Sequence, residues 1–141
     1  MAKITPGQHK SSGAIPEPAA RKADDSLSFS FKHLDLHTNP KFALSRCASG
    51  YLPKFIERLK ALHGFTVSEL KNTKSKSLRA HTLDWNDTSE PDGFRCLNEQ
   101  LRGIPAWQFE VSSNAHGRFH GFFIDRTFFI VWIDPEHLLY R

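Results

Sequence analysis

GRFHGFFIDRTFFIVWIDPEHLLYR, residues 117–141, is the stretch whose reading decides the fold. Two apolar runs, 118–124 and 128–133, are separated only by Asp125, Arg126 and Thr127. A link that short closes an antiparallel hairpin and cannot carry the crossover that parallel neighbours require. Just upstream, AWQFEVSS (106–113) alternates Trp107, Phe109 and Val111 with Gln108, Glu110 and Ser112, the period of a half-buried strand with its polar row in water. SNAHG (113–117) then turns the chain. The last three strands therefore read as an antiparallel meander.

Working outward, SGYLPKFIERLKALHG (49–64) spaces Leu52, Phe55, Ile56, Leu59 and Leu62 as one face of a helix. Ser49 is placed to cap it, Pro53 suits its first turn and Gly64 its stop, with Lys54, Arg58 and Lys60 on the wet side. Thr66 and Glu69 form a capping box over a short second helix, TVSELKN. SFSFKHLDL (28–36) reads as a first strand before the turn-forming HTNPK. Leu78 to Leu83 enters a further strand, NDTSEPDGF is a loop, and FRCLNEQLRG makes a short helical turn with Phe94, Leu97 and Leu101 inward. This order predicts an α+β fold: an antiparallel sheet with a C-terminal β-meander, one face covered by one long and one short helix. Residues 28–141 form a single domain. Residues 1–27 are rich in Pro, Gly, Ser, Ala and charge, and are expected to be a disordered tail.

The composition bounds the function classes. At 141 residues, 39% hydrophobic and with 12 phenylalanines, the chain has enough apolar bulk for one core. No apolar run reaches bilayer length and the amino terminus lacks the apolar region of a secretion signal, so a cytoplasmic protein is expected. Cys47 and Cys96 match no metal spacing and are expected to be reduced thiols. The net charge of +4 is unevenly spread. Seven Lys/Arg between Lys54 and Arg79 face Glu57 and Glu69, whereas five acids between Asp84 and Glu99 face Arg95 alone. A basic stretch suits an anionic partner such as RNA; the plainer account is two solvated faces of opposite sign.

Four groups of residues carry candidate chemistry. Asp134, Glu136, His137 and Tyr140 leave the last strand together: His137 suits proton transfer near neutral pH, Asp134 or Glu136 would hold its tautomer, and Tyr140 would donate a hydrogen bond or stack on a base. The plainer account makes Asp-Pro-Glu-His an exit turn, with Asp134 bonding backbone and Tyr140 packing on the sheet. Arg118 and His120 share one face of the penultimate strand, opposite the helix, where a guanidinium fork suits phosphate. A solvated polar row is the alternative. Lys74, Lys76 and Arg79, interleaved with serine, form an expected RNA-gripping loop, and His81 sits where that loop meets a strand. His116 and His120 are four apart across a turn, which does not place them on one face as a helix would, so no metal and no cofactor are expected.

The arginine-led strand R118FHGFFI, the tight turn DRT, the strand FFIVWID and the ending E136HLLY140 resemble the RelE/YoeB superfamily of small bacterial ribonuclease toxins. The resemblance covers mainly the C-terminal third. Two leucines between His137 and Tyr140, and acids in the Asp-Pro-Glu-His turn, depart from that family's basic ending. The resemblance implies an endoribonuclease, a hydrolase of toxin–antitoxin systems, acting on RNA that includes ribosome-bound mRNA and held by a cognate antitoxin protein. By position, Arg118 would stabilise the phosphate, His137 would act as general acid or base, and Tyr140 would be the terminal tyrosine. The implied chemistry is metal-independent, with Arg118 and the 74–79 loop as cations and His137 exchanging protons with His120 or His81. Two other classes stay open. The acidic stretch 84–99 suits a non-catalytic protein-binding module such as an immunity, antitoxin-like or phage inhibitor protein, and the basic stretch suits an RNA binder without cleavage.

Overall fold

The meander forms as read. The structure, a computed structural model, describes residues 26–72, 80–112 and 116–140. Strand β4 (Arg118–Ile124) pairs antiparallel with β5 (Thr127–Asp134), from Ile124 opposite Thr127 to Arg118 opposite Asp134. β3 (Ala106–Glu110) pairs antiparallel with the other edge of β4, so that Gln108 faces His120 and Glu110 faces Arg118. The sheet is completed by β1 (Ser28–Ser30), parallel to β5, and β2 (His81–Thr82), antiparallel to β3, in the order β1-β5-β4-β3-β2. The helices are α1 (Tyr51–Leu62), α2 (Val67–Asn72) and the one-turn α3 (Glu99–Arg102).

A β-bulge in β5 organises both faces. Gly121 lies opposite Ile130, but His120 lies opposite Trp132, which leaves Val131 as the extra residue. Before the bulge, Phe128 and Ile130 point to the helical face; after it, Ile133 does, while Val131 and Trp132 both join the opposite core. The two-residue alternation has been shifted by one, which carries Trp132 and Asp134 to the same face as His120 and Arg118. Gly121 is required here: a Cβ would sit 1.9 Å from the Phe129 carbonyl oxygen.

On the helical face, Tyr51, Phe55, Leu59 and Leu62 of α1 and Leu70 of α2 pack on Phe109, Phe119 and Phe128. Phe55, Leu59 and Leu62 of the expected stripe are buried, and only its edge moves. Leu52 and Ile56 are 65% and 51% exposed, because Tyr51 takes the inward position and buries a larger ring. The helix opens on Gly50, whose φ of 85° sets the entry, and no Ser49 side-chain cap forms. Arg58, read as a wet-side cation, instead lies half-buried with its Nε donating to the Glu110 carbonyl oxygen at 2.9 Å. The Thr66–Glu69 capping box is present, with reciprocal bonds of 2.8 and 3.1 Å.

The opposite face is also covered. Irregular segments bring Phe42, Phe94, Leu97 and Leu139 onto Phe122, Val131 and Trp132, with Phe42 stacked on Trp132 at 4.4 Å. The first strand is shorter than read: after Ser30 the chain turns away, and buried Asp35 accepts from His37 N, Thr38 N and the Trp132 indole. Leu27, read as part of the tail, is buried and donates from its N–H to the Phe65 carbonyl oxygen. The expected strand 78–83 is reduced to His81–Thr82, and the tail expected for 1–27 lies almost wholly outside the described residues. No helix among the described residues is long and apolar enough to cross a membrane.

The close approach at Gly117 gives a sharp test of this register. Gly117 has φ +70°, and an added Cβ would meet the Asp134 carbonyl oxygen at 2.0 Å. Gly103 sits in helical conformation with only ordinary contacts around a would-be Cβ. Urea unfolding should show Gly117→Ala losing about 3 kcal/mol or more and Gly103→Ala changing stability by about 0.5 kcal/mol or less.

Candidate active site

Two cross-strand rows of polar side chains lie next to each other on the non-helical face. The outer row runs Glu110 on β3, Arg118 on β4 and Asp134 on β5; the inner row runs His81 on β2, Gln108 on β3, His120 on β4 and Trp132 on β5. The sequence placed Gln108 and Glu110 in water. Both are buried, along with His120 and Asp134, because the irregular segments form a second layer over this face. Gln108, which sequence reasoning passed over, is the link in the inner row. Its Nε2 donates to His81 Nε2 at 3.0 Å and its Oε1 accepts from His120 Nε2 at 2.9 Å. The alternation of AWQFEV marked its side of the strand; nothing in the sequence marked its burial.

The C-terminal segment folds back over these rows. Both Asp134 carboxylate oxygens accept backbone N–H groups, from Leu138 at 2.7 Å and Leu139 at 2.9 Å. This tight closure is accompanied by a left-handed backbone at His137, with φ 57°. The segment is stitched to the 88–89 loop: Ser89 N donates to the Leu139 carbonyl oxygen and Ser89 Oγ to that of Leu138, while Thr88 bridges to Tyr140. Glu136 pairs outward with Arg46 at 3.1 Å. Thus the side chains of Asp134 and Glu136 bond to backbone and to Arg46, in place of the expected hydrogen bond to the His137 ring.

Of the sequence-nominated residues, Arg118, His120, His137, His81 and Tyr140 come together on this face. Tyr140 stands edge-on to His81, with ring centres 6.2 Å apart, and His81 and His137 are both exposed. Lys74, Lys76 and Arg79 lie outside the described residues. His116 bonds Ser112 Oγ through Nδ1 and stands beside the Tyr51 ring. Arg118 points a guanidinium nitrogen at Glu110 Oε2, 3.5 Å away, and donates from Nη1 to the Gly117 carbonyl oxygen. Among the described residues no group of three or more His, Cys, Asp or Glu side chains is placed to hold a metal ion.

Burial and charge set different states for the three imidazoles. His120 is fully enclosed, and burial first, then the nearby His137, His81 and Arg118, push its pKa down to about 3. It is therefore neutral at physiological pH, a state that opposes its taking up a proton. His137 is lowered below 6.5 by partial burial and by Arg118, against opposing pulls from Asp134 and Glu110. At neutral pH it presents an unprotonated ring, the state a general base requires. Asp134 is raised by burial, opposed by the two N–H groups it accepts.

The state of His120 makes stability depend on pH. Between about 3 and 6.5 the unfolded chain takes up a proton that folded His120 refuses, so acid favours unfolding; the contribution is complete above 6.5 and lost as pH falls toward 3. Denaturant titrations should show this group costing about 2 kcal/mol at pH 5 relative to pH 8, and His120→Gln should remove that part of the slope. An unchanged slope would show that His120 does not resist protonation. No protein-family model, no curated protein and no solved structure matches the chain, so the arrangement on this sheet face is the ground for any functional reading.

Proposed function

We propose that the protein is a metal-independent endoribonuclease, toxin-like in kind, whose active site is the polar half of the non-helical sheet face. The observation that carries this reading is the meeting of Arg118 and His137. Arg118 is the cross-strand partner of Asp134, whose carbonyl oxygen accepts the His137 N–H at 3.3 Å, and burial together with this guanidinium depresses the pKa of the imidazole. A cation beside a neutral base is the pair that in-line RNA cleavage requires.

The steps follow from the states of these side chains. Neutral His137 removes the proton of an RNA 2′-hydroxyl, and the 2′-oxygen forms a bond to the adjacent phosphorus. Arg118 stabilises the charge that builds on the phosphoryl oxygens. The bond to the 5′-oxygen breaks, and that oxygen takes a proton from a solvent water, since both His81 ring nitrogens are engaged, by the Thr82 carbonyl oxygen and the Gln108 amide. Tyr140 is packed edge-on against His81. The products are a 2′,3′-cyclic phosphate and a 5′-hydroxyl. Buried, neutral His120 takes no proton in this scheme.

A second reading, a protein-binding module, draws on the exposed acids Asp84, Asp87, Asp92 and Glu99, which present a negative strip on the 84–99 segment. A cognate antitoxin would belong to the first reading and a basic partner protein to the second.

The purified chain, given single-stranded RNA or mRNA on translating ribosomes in the presence of EDTA, is expected to leave cyclic-phosphate ends. His137→Ala and Arg118→Ala should each slow this by about 10²-fold or more. The rate should fall as pH drops below about 6.5, since protonating His137 removes the base, with the inflection below the ordinary histidine value. Cleavage at the parental rate by both variants, or no cleavage of either RNA, would overturn the assignment.

A further inference from the structure

The loop after β1 borders the other end of the non-helical face and takes no part in the cleavage scheme. Asp35 turns this loop: its carboxylate accepts from His37 N and Thr38 N at 3.3 and 2.8 Å and from the Trp132 indole at 2.9 Å. Holding the acid inward leaves the loop's other side chains outside, with Phe31 49% and Leu36 47% exposed. His33 leans on the stacked rings of Phe122 and Phe129, at 5.9 and 5.5 Å between centres. The same ring lines an open hollow of about 340 Å³ together with Lys32, Leu34, Leu36 and Leu97. Asp35, Thr38 and Cys96 are shared with a second hollow of about 310 Å³, where Arg95 stands with Asn39, Glu90 and Trp132.

We propose that these joined hollows are a flanking subsite for single-stranded RNA, in which a base stacks on His33 above the leucine floor while Lys32 and Arg95 hold the neighbouring phosphates. The charges favour an anionic strand. The side chains of Lys32 and Arg95 have no hydrogen-bond or ion-pair partner among the described residues. Both acids that line the hollows are already engaged, Asp35 by its three donors and Glu90 by Lys41. The exposed Asp92 and Glu99 line a different hollow, beside Trp85. Unpaired cations around an aromatic platform are the means by which proteins hold a single strand without reading its sequence, since every base has a face to stack.

The subsite adjoins the candidate active site. Arg118, His120 and Phe122 follow one another along one face of β4, so the platform under His33 lies about 13 Å along the strand from Arg118. Glu90, in the second hollow, follows Ser89, whose N–H and Oγ hold the Leu138–Leu139 backbone just past His137. An extended strand with its scissile phosphate at Arg118 reaches the hollows within a few nucleotides. The choice of RNA as the strand rests on the nuclease reading; the stacking platform and its free cations do not.

Photocrosslinking and fluorescence anisotropy test this with a short oligouridylate carrying thiouridine, bound to the full chain bearing His137→Ala so that the strand stays whole. Crosslinks should fall on residues 31–37 and 95–97. In the same background, Lys32→Ala with Arg95→Ala should weaken binding about tenfold and flatten its salt dependence. His33→Ala should weaken it about fivefold or more, and His33→Phe, which keeps a ring against Phe122 and Phe129, should restore it. Lys60→Ala, on α1 across the sheet, should change nothing. With His137 intact, His33→Ala should raise KM for RNA and leave kcat unaltered. Crosslinks confined to the Arg118 end of the face, an equal loss from Lys60→Ala, or binding indifferent to positions 32, 33 and 95 would overturn the proposal. Polyglutamate bound as tightly as the RNA, with His33→Ala without effect, would assign the surface to an acidic protein and overturn it as well. RNA held in the hollows but left intact by the parent chain would sink the nuclease and keep the subsite, whereas cleavage untouched by these variants would do the reverse.

Discussion

The bulge at Val131 is the constraint on which the polar face depends. In an unbroken β5, Trp132 and Asp134 would follow Phe128 and Ile130 into the helical core, where a carboxylate has no partner. One extra residue transfers both to the other side, so that Asp134 falls opposite Arg118 and Trp132 opposite His120. The bulge in turn rests on Gly121, since any side chain there would strike the Phe129 backbone. Asp134, once on this face, gathers the Leu138 and Leu139 N–H groups and bends the C-terminal segment back over the sheet. The position of His137 is thus a consequence of backbone geometry several residues upstream.

Electrostatically, the two rows divide the work. Arg118 stands between Glu110 and Asp134 as a cation flanked by carboxylates, an arrangement that offsets part of the cost of burying each charge. The inner row meets burial differently, by keeping His120 neutral and satisfying it with an amide. Two solutions to the same desolvation problem lie side by side, and His137 is positioned where their fields overlap. Its ring feels Arg118 pushing protons away and the acids of the outer row drawing them in, with burial and Arg118 prevailing.

The irregular segments that cover this face tie the molecule together over long sequence distances. Asp35 receives the Trp132 indole, Lys41 reaches Ser89 and Glu90, and Ser89 holds the C-terminal backbone. The acidic 84–99 stretch therefore does structural work at its buried side, through Thr88, Ser89 and Phe94, while Asp84, Asp87, Asp92 and Glu99 remain exposed.

The sequence by itself determined the meander, the long helix and the capping box, because turns, apolar period and caps are written within a few residues of each other. It also nominated Arg118, His120, His137, His81 and Tyr140 by residue type. It put Phe55, Leu59 and Leu62 of α1 inward correctly but chose Leu52 and Ile56 over Tyr51 for the rest of the stripe, since all are apolar enough to turn inward and only the shape of the opposing sheet chooses between them. It read Gln108 and Glu110 as wet, because an alternating strand looks the same whether its polar side meets solvent or a second layer. What only the tertiary structure decided was the bulge, the enclosure of His120 and the meeting of Arg118 with His137. Each of these depends on backbone register or on segments distant in the chain, and no local pattern of side chains encodes such distances.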